Sequence, residues 1–177
     1  MSSVQNGDQD AFGILVHRHI DSLYNYALRL CHMPANAEDL VQDTWLACWQ
    51  HAGRFRPQKA KVTTWLHSIL YNKFVDTTRK RRPVAVDPLS DVLGDALSET
   101  GSEGEPYVSG ENEQKLLALI NTLPLNQRSA LVLTHLQGFS NQEVAKIMGL
   151  GLRAVESLLA RARRTLKSNY EQDPANS

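Results

Sequence analysis

The stretch from Phe139 to Lys167, FSNQEVAKIMGLGLRAVESLLARARRTLK, leaves this chain few folds to choose from. Ser140 with Glu143 at the third position after it is a capping box: the Ser hydroxyl takes the Glu143 backbone N–H, and the carboxylate reaches back to the Ser N–H. Phe139 precedes the cap, placed to staple onto the first turn. Val144, Ala145, Ile147 and Met148 then give a short helix one apolar face. Gly149-Leu150-Gly151 ends it, because glycine accepts the left-handed backbone that a helix terminus needs. A second helix restarts at Leu152, with Val155, Leu158, Leu159, Ala162 and Leu166 at helical spacing. Helices joined by a short Gly-bearing turn form a helix-turn-helix unit. The second helix carries Arg153, Arg161, Arg163, Arg164 and Lys167 against one acid, Glu156, and the first has no such basic excess. Phosphates flank a helix in the major groove along its length, so the asymmetry suits DNA. The bland alternative is a helical hairpin with a solvated basic face. The rest of the chain decides between them.

Net charge at first argues against nucleic acid, since 19 Lys and Arg balance 19 Asp and Glu. Distribution matters more than the sum. Arg79-Lys80-Arg81-Arg82 is a solid basic block and the last long helix is basic, whereas Pro83–Gly110 holds six acids and no Lys or Arg. Neutrality thus hides basic surfaces at either end of an acidic connector. No apolar run is long enough to span a bilayer, and the polar start MSSVQNGDQD is not a signal peptide. A cytoplasmic protein without membrane insertion is expected. Cys31 and Cys48 are too few for a disulfide scaffold and are expected to be reduced.

Taken in order, residues 8–33 place Phe12, Leu15, Val16, Ile20, Leu23, Tyr24, Ala27 and Leu30 at spacings of three and four. That pattern predicts one long amphipathic helix, or two short ones meeting near His19. Pro34 breaks it, and Asn36 is expected to cap the next helix. Leu40, Val41, Thr44, Trp45 and Cys48 form the inward stripe of that helix, to about Gln50. Glu38, Asp39, Gln42 and Asp43 lie on the opposite face, where acids suit the helix dipole and make a compact negative patch. Gly53–Val62 reads as a loop with four basic residues, Arg54, Arg56, Lys59 and Lys61. A further helix is predicted from about Thr63 to Arg81, and a linker over Pro83–Gly110. Glu111–Leu123 and Leu125–Gln137, split by Pro124, are expected to give the helix-turn-helix its apolar support. The expected architecture is therefore all-α: a helical domain over 1–83, a linker over 84–110, and a helix-turn-helix domain over 111–177.

The order and spacing of GDQDAF, AEDLVQDTWLACW, TTWLHSILYNKFVDTTRKRRP, the acidic linker, LPLNQRSALVLTHLQGFSNQEVAKIMGL and AVESLLARARRTLK together resemble an extracytoplasmic-function sigma factor. This is the two-domain minimal class of bacterial sigma factors, and the resemblance covers nearly the whole chain. It implies that the AEDLVQ helix docks on the clamp helices of core RNA polymerase through Glu38, Asp39, Leu40, Gln42, Asp43 and Trp45. It implies that the loop before TWL, from Arg56 through Lys59, Lys61, Thr63 and Thr64, holds a flipped-out base of the minus-ten strand together with Asn72. Basic residues for a backbone and an amide for a base edge are what single-strand capture needs. Arg79, Lys80, Arg81 and Arg82 would hold upstream phosphates. The second domain would read the minus-thirty-five duplex through Arg153, Glu156, Ser157, Ala160, Arg161 and Arg164. The implied partners are core polymerase, promoter DNA and an anti-sigma factor. The sequence departs from the family pattern at Gly151, where Ser or Pro is usual, and at Glu156, where the family usually offers a cation to bases.

Other constellations point nowhere else. His17, His19, His32, His51, His67 and His135 form no four-ligand set with zinc spacing, so no metal or other cofactor is expected. Trp45, Trp49 and Trp65 at helical spacing read as core rather than stacking platforms, with Trp65, beside the flipped-base loop, the one exception left open. No Ser-His-Asp set, Gly-rich phosphate loop or carboxylate pair suggests an enzyme. The competing function is an autonomous helix-turn-helix regulator whose first domain binds a ligand or dimerises. Such a domain has no need of RKRR at a helix end or of the acidic AEDLVQD patch.

Overall fold

The computed structural model describes the backbone of residues 1–81 and 111–171 and the side chains of 1–80 and 115–170. The expected linker 84–110, Arg82 and the side chain of Arg81 lie outside the described residues. All regular structure among the described residues is helical, and no helix among them is long and apolar enough to cross a membrane.

The chain opens on a helical turn that periodicity does not reveal, α1 (Ser2–Gln5). Val4 is buried there, and the Gln5 Nε2 donates to the Ala52 and Phe55 carbonyls at 3.0 and 3.1 Å. Asp8 caps α2 (Gln9–Cys31), its carboxylate accepting the Ala11 N–H at 3.0 Å. α2 runs unbroken through His19, because the stripe Leu15, Leu23, Tyr26, Ala27 and Leu30 stays on one buried face. It ends at His32 in the left-handed region (φ 60), the only such non-glycine among the described residues. His, like Asn and Asp, tolerates that conformation better than most side chains. α3 (Pro34–His51) then begins earlier than expected. Met33 rather than Asn36 is its N-cap, because proline at the first helical position has its φ preset and lacks an N–H that would be orphaned there.

A 3₁₀ turn, Ala52–Arg54, leads into the loop, and α4 (Val62–Arg81) follows. After the linker come α5 (Glu111–Asn121) and α6 (Leu125–Leu131). The single helix expected over Leu125–Gln137 is shorter. From Val132 to Leu136 the backbone widens into a π-helical turn. α7 (Asn141–Met148) and α8 (Leu152–Glu171) complete the chain.

α2, α3 and α4 bury one another, and α8 packs against both α6 and α7. The helical halves also touch. α4 lies along α7, and α2 reaches the π-helical turn. One continuous core therefore includes Leu23, Leu30, Leu66 and Leu70 from the first half and Leu125, Leu133, Ile147 and Leu158 from the second.

Candidate DNA and polymerase interfaces

The helix-turn-helix forms from its local signals. The Ser140 hydroxyl accepts the Glu143 N–H at 3.3 Å, and the Glu143 carboxylate accepts the Ser140 N–H at 3.0 Å. That backbone bond, with help from the Ser140 hydroxyl and Lys61, holds the Glu143 carboxyl below its usual range. Gly149 closes α7 with φ 66, its N–H on the Ala145 carbonyl. A side chain there would strain a left-handed backbone.

On α8 the inner face, Val155, Leu158, Leu159 and Ala162, is buried. Arg153, Glu156, Ser157, Ala160 and Arg164 are exposed along the outer face, with Arg163 and Lys167 beside them. Arg161 departs from the expected stripe, for it is half-buried. Its neighbour Ala162 is fully buried, so position 161 falls at the margin of the face.

The second site is the loop into α4. Phe55 is buried against the Trp65 ring with centroids 5.3 Å apart, which anchors one end of the loop to the other. Arg56 folds back, its Nη1 donating to the Gly53 carbonyl at 2.7 Å. Lys59 and Lys61 are exposed, yet both are met by α7. The Lys61 ammonium lies 3.1 Å from the Glu143 carboxylate, and the Lys146 ammonium donates to the Lys59 carbonyl at 3.2 Å. Thr63 is half-buried. Thr64 is not presented as expected: it is 2% exposed, and its hydroxyl makes no hydrogen bond among the described residues. Asn72 is exposed about 12 Å further along α4. Arg79 and Lys80 are exposed, with Arg79 at 3.3 Å from Asp76.

The third surface lies on α3. Glu38, Asp39, Gln42 and Asp43 are exposed as expected, whereas Leu40 and Trp45 are each 8% exposed and support the face from beneath. Trp45 and Trp49 both pack edge-to-face with Phe12, with ring centroids 5.9 and 5.0 Å apart. An open depression of about 600 Å³ results, lined by Gln9, Phe12, Gln42, Asp43, Trp45, Leu46 and Trp49. Leu46, 54% exposed, was missed by sequence reasoning. The signal was present, because Leu46 falls off the inward stripe and sits as an apolar residue among polar ones. Acids around an apolar hollow suit a partner helix with basic and apolar side chains.

Comparison with known proteins places the chain in a family. The family model for sigma-70 region 2 matches residues 15–84, and that for sigma-70 region 4 matches residues 113–166. The chain is 35% identical over 162 residues to the RNA polymerase sigma factor NccH of Alcaligenes xylosoxydans xylosoxydans, covering 90% of this chain and 87% of that one. It is 32% identical over 160 residues to the ECF RNA polymerase sigma factor SigM of Mycobacterium tuberculosis, covering 90% and 77%. Among solved structures it is similar to the sigma factor RpoE of Bartonella quintana in complex with the anti-sigma factor NepR. The TM-score is 0.73 at 26% identity, over 92% of this chain and 98% of that one. With matches to both regions in order, and relatives alike over most of their own length, the chain belongs to the extracytoplasmic-function sigma factors, which direct core RNA polymerase to promoters.

Proposed function

We propose that α8 reads the minus-thirty-five duplex through Arg153, Glu156, Ser157, Ala160 and Arg164, with Arg161 contributing from the margin. The loop Arg56–Thr64 and Asn72 capture an extruded base of the minus-ten strand, and Arg79 to Arg82 hold phosphates upstream. Glu38, Asp39, Gln42, Asp43 and Leu46, carried by Leu40 and Trp45, dock on the clamp helices of core polymerase. Residues 1–83 and 111–177 act as the two DNA-binding domains and 84–110 as their linker. An anti-sigma factor restrains the chain, as the RpoE–NepR complex suggests by likeness. The protein works in the cytoplasm and contributes binding rather than a reaction of its own.

The observation that carries this reading is the outer face of α8, a row of exposed polar and basic side chains over a fully apolar inner face. Glu156 is its informative member. A carboxylate near phosphates is repelled, so its presence has to be offset or useful: it either pairs with Arg153 or Arg161 and orients it, or accepts a hydrogen bond from a cytosine amino group, worth ~1–3 kcal/mol of discrimination. A randomised minus-thirty-five library transcribed by wild-type and Glu156→Ala holoenzymes tests this. Relaxed preference at one base pair is expected. Identical preferences at every position would make Glu156 a structural residue.

A further inference from the structure

The loop that leads into α4 is tied at its root by a residue far away in sequence. Gln5 on α1 is exposed, yet its amide nitrogen donates to the Ala52 carbonyl at 3.0 Å and to the Phe55 carbonyl at 3.1 Å. A primary amide carries two N–H donors on that nitrogen, so both are used. The two carbonyls bracket the 3₁₀ turn Ala52–Arg54 that follows α3. Phe55 is also the residue whose ring packs on Trp65 at the far end of the loop. Holding its carbonyl therefore fixes the entry of the loop just ahead of Arg56.

Local order places Gln5 there. Gly7, with φ 83, reverses the chain between α1 and α2 in a conformation that a side chain would strain. The Gly7 N–H donates to the Val4 carbonyl at 3.0 Å and the Asp8 N–H to the Ser3 carbonyl at 3.2 Å, which closes the turn before Asp8 caps α2. Val4 is buried and anchors α1, leaving its neighbour Gln5 within reach of the end of α3. Arg56 completes the clasp from the loop side. Its Nη1 donates to the Gly53 carbonyl and, at 3.1 Å, to the same Phe55 carbonyl. The carbonyls of Ala52, Gly53 and Phe55 are thus taken by two side chains. α7 touches the loop as well, but across the seam between the halves, through Glu143 on Lys61 and Lys146 on the Lys59 carbonyl. α1 belongs to the loop's own half, and it lies ahead of the stretch 15–84 that the region 2 model matches.

We propose that Gln5 is a positioning residue for the minus-ten strand: from α1 it clasps the Ala52 and Phe55 carbonyls and presets the loop Arg56–Thr64 in the shape that captures the extruded base. This rests on the minus-ten reading above and extends it to a residue that acts through the backbone rather than on DNA. Without the clasp the loop samples other shapes, and only the competent fraction captures a base. Two neutral, partly buried hydrogen bonds are worth a roughly three- to tenfold change in that fraction. Capture is a step within the bound complex, so weakening it narrows the gap between the preferred base and the others. α8, on the other half, reads the minus-thirty-five element as before.

Holoenzymes carrying wild-type, Gln5→Met, Gln5→Lys or Asn72→Ala chains, transcribing a library randomised at both promoter elements, test this. Met has a similar reach and no donor, whereas Lys again puts several N–H donors on one nitrogen. Base preference is the readout, because the added Lys charge alters overall DNA affinity. Gln5→Met should shrink the preference at the captured base roughly three- to tenfold and leave the minus-thirty-five preferences unchanged. Gln5→Lys should restore the lost preference. An unchanged minus-ten preference in Gln5→Met, or equal losses at both elements, would overturn the positioning role. So would a loss in Gln5→Met that Gln5→Lys does not restore. Asn72→Ala bears on the minus-ten reading alone: preferences identical to wild type there would sink that reading, while the Gln5 pair still decides whether α1 sets the loop.

Discussion

The outer face of α8 and the loop Arg56–Thr64 both offer cations to DNA, but they are held in different ways. The α8 face is presented by local order: buried Val155, Leu158, Leu159 and Ala162 point the opposite side outward, whatever the other half does. The loop has little order of its own. Phe55 on Trp65 ties its ends, while Gln5 on the Ala52 and Phe55 carbonyls and α7 on Lys59 and Lys61 shape it from distant parts of the chain. A reading surface on a helix is thus available at once, whereas one on a loop can be given or withheld by a neighbour. That is a physical route to a chain that offers one promoter contact while keeping the other back.

The strongest test of this contrast strikes the support of the helix. Leu158→Ala empties a fully buried site beneath α8 and should cost about 2–5 kcal/mol, read as a lower denaturant midpoint. A midpoint within error of wild type would mean that the α8 face does not stand on that core.

Acid should act at the seam rather than on α8. Burial, with a smaller push from His19, holds His67 at about 4, and burial followed by Arg128 and Arg29 holds His32 at about 4. The Thr63 carbonyl opposes part of the His67 shift. Both histidines are neutral when closed and free to protonate near 6.5 when released. Stability should therefore be full above pH 6.5 and fall as pH drops from 6.5 toward 4. His67 alone would contribute up to about 2 kcal/mol of loss between pH 7 and 5. Thermal melts across that range check it, and a His67→Phe chain should lose less. Equal slopes for the two chains would remove His67 from the account.

Glu143 separates local order from contact across the seam. Glu143→Ala breaks the capping box and should cost ~1 kcal/mol. Glu143→Gln keeps a residue suited to the box while removing the charge from Lys61. Its melting temperature should stay near wild type while the strand binds more tightly. Equal melting temperatures for Ala and Gln would show that the box contributes nothing to α7.

The smallest effect belongs to Arg79. Its pair with Asp76 is exposed on both sides, so Arg79→Ala should change stability by less than about 0.5 kcal/mol. Holoenzyme binding to promoter DNA should weaken, with a shallower salt dependence by about one phosphate contact. An unchanged salt slope would take Arg79 off the DNA.

What could be read without coordinates is what neighbours in the chain decide among themselves. The capping box at Ser140 and Glu143, the left-handed Gly149, the inner and outer faces of α8 and the exposed acids of α3 all arise within a few turns, where periodicity and capping act. The family's motifs are local too, which is why the resemblance was legible. Periodicity reports which face of a helix is apolar, but not what meets the polar face. The burial of Asn126, Gln127, Arg128 and Ser129, the neutral His67 and the left-handed His32 facing Arg128 depend on residues about 40 to 100 positions away, brought together by the seam. Burying a polar side chain is favourable only where a partner is waiting, and that partner is set by the tertiary structure.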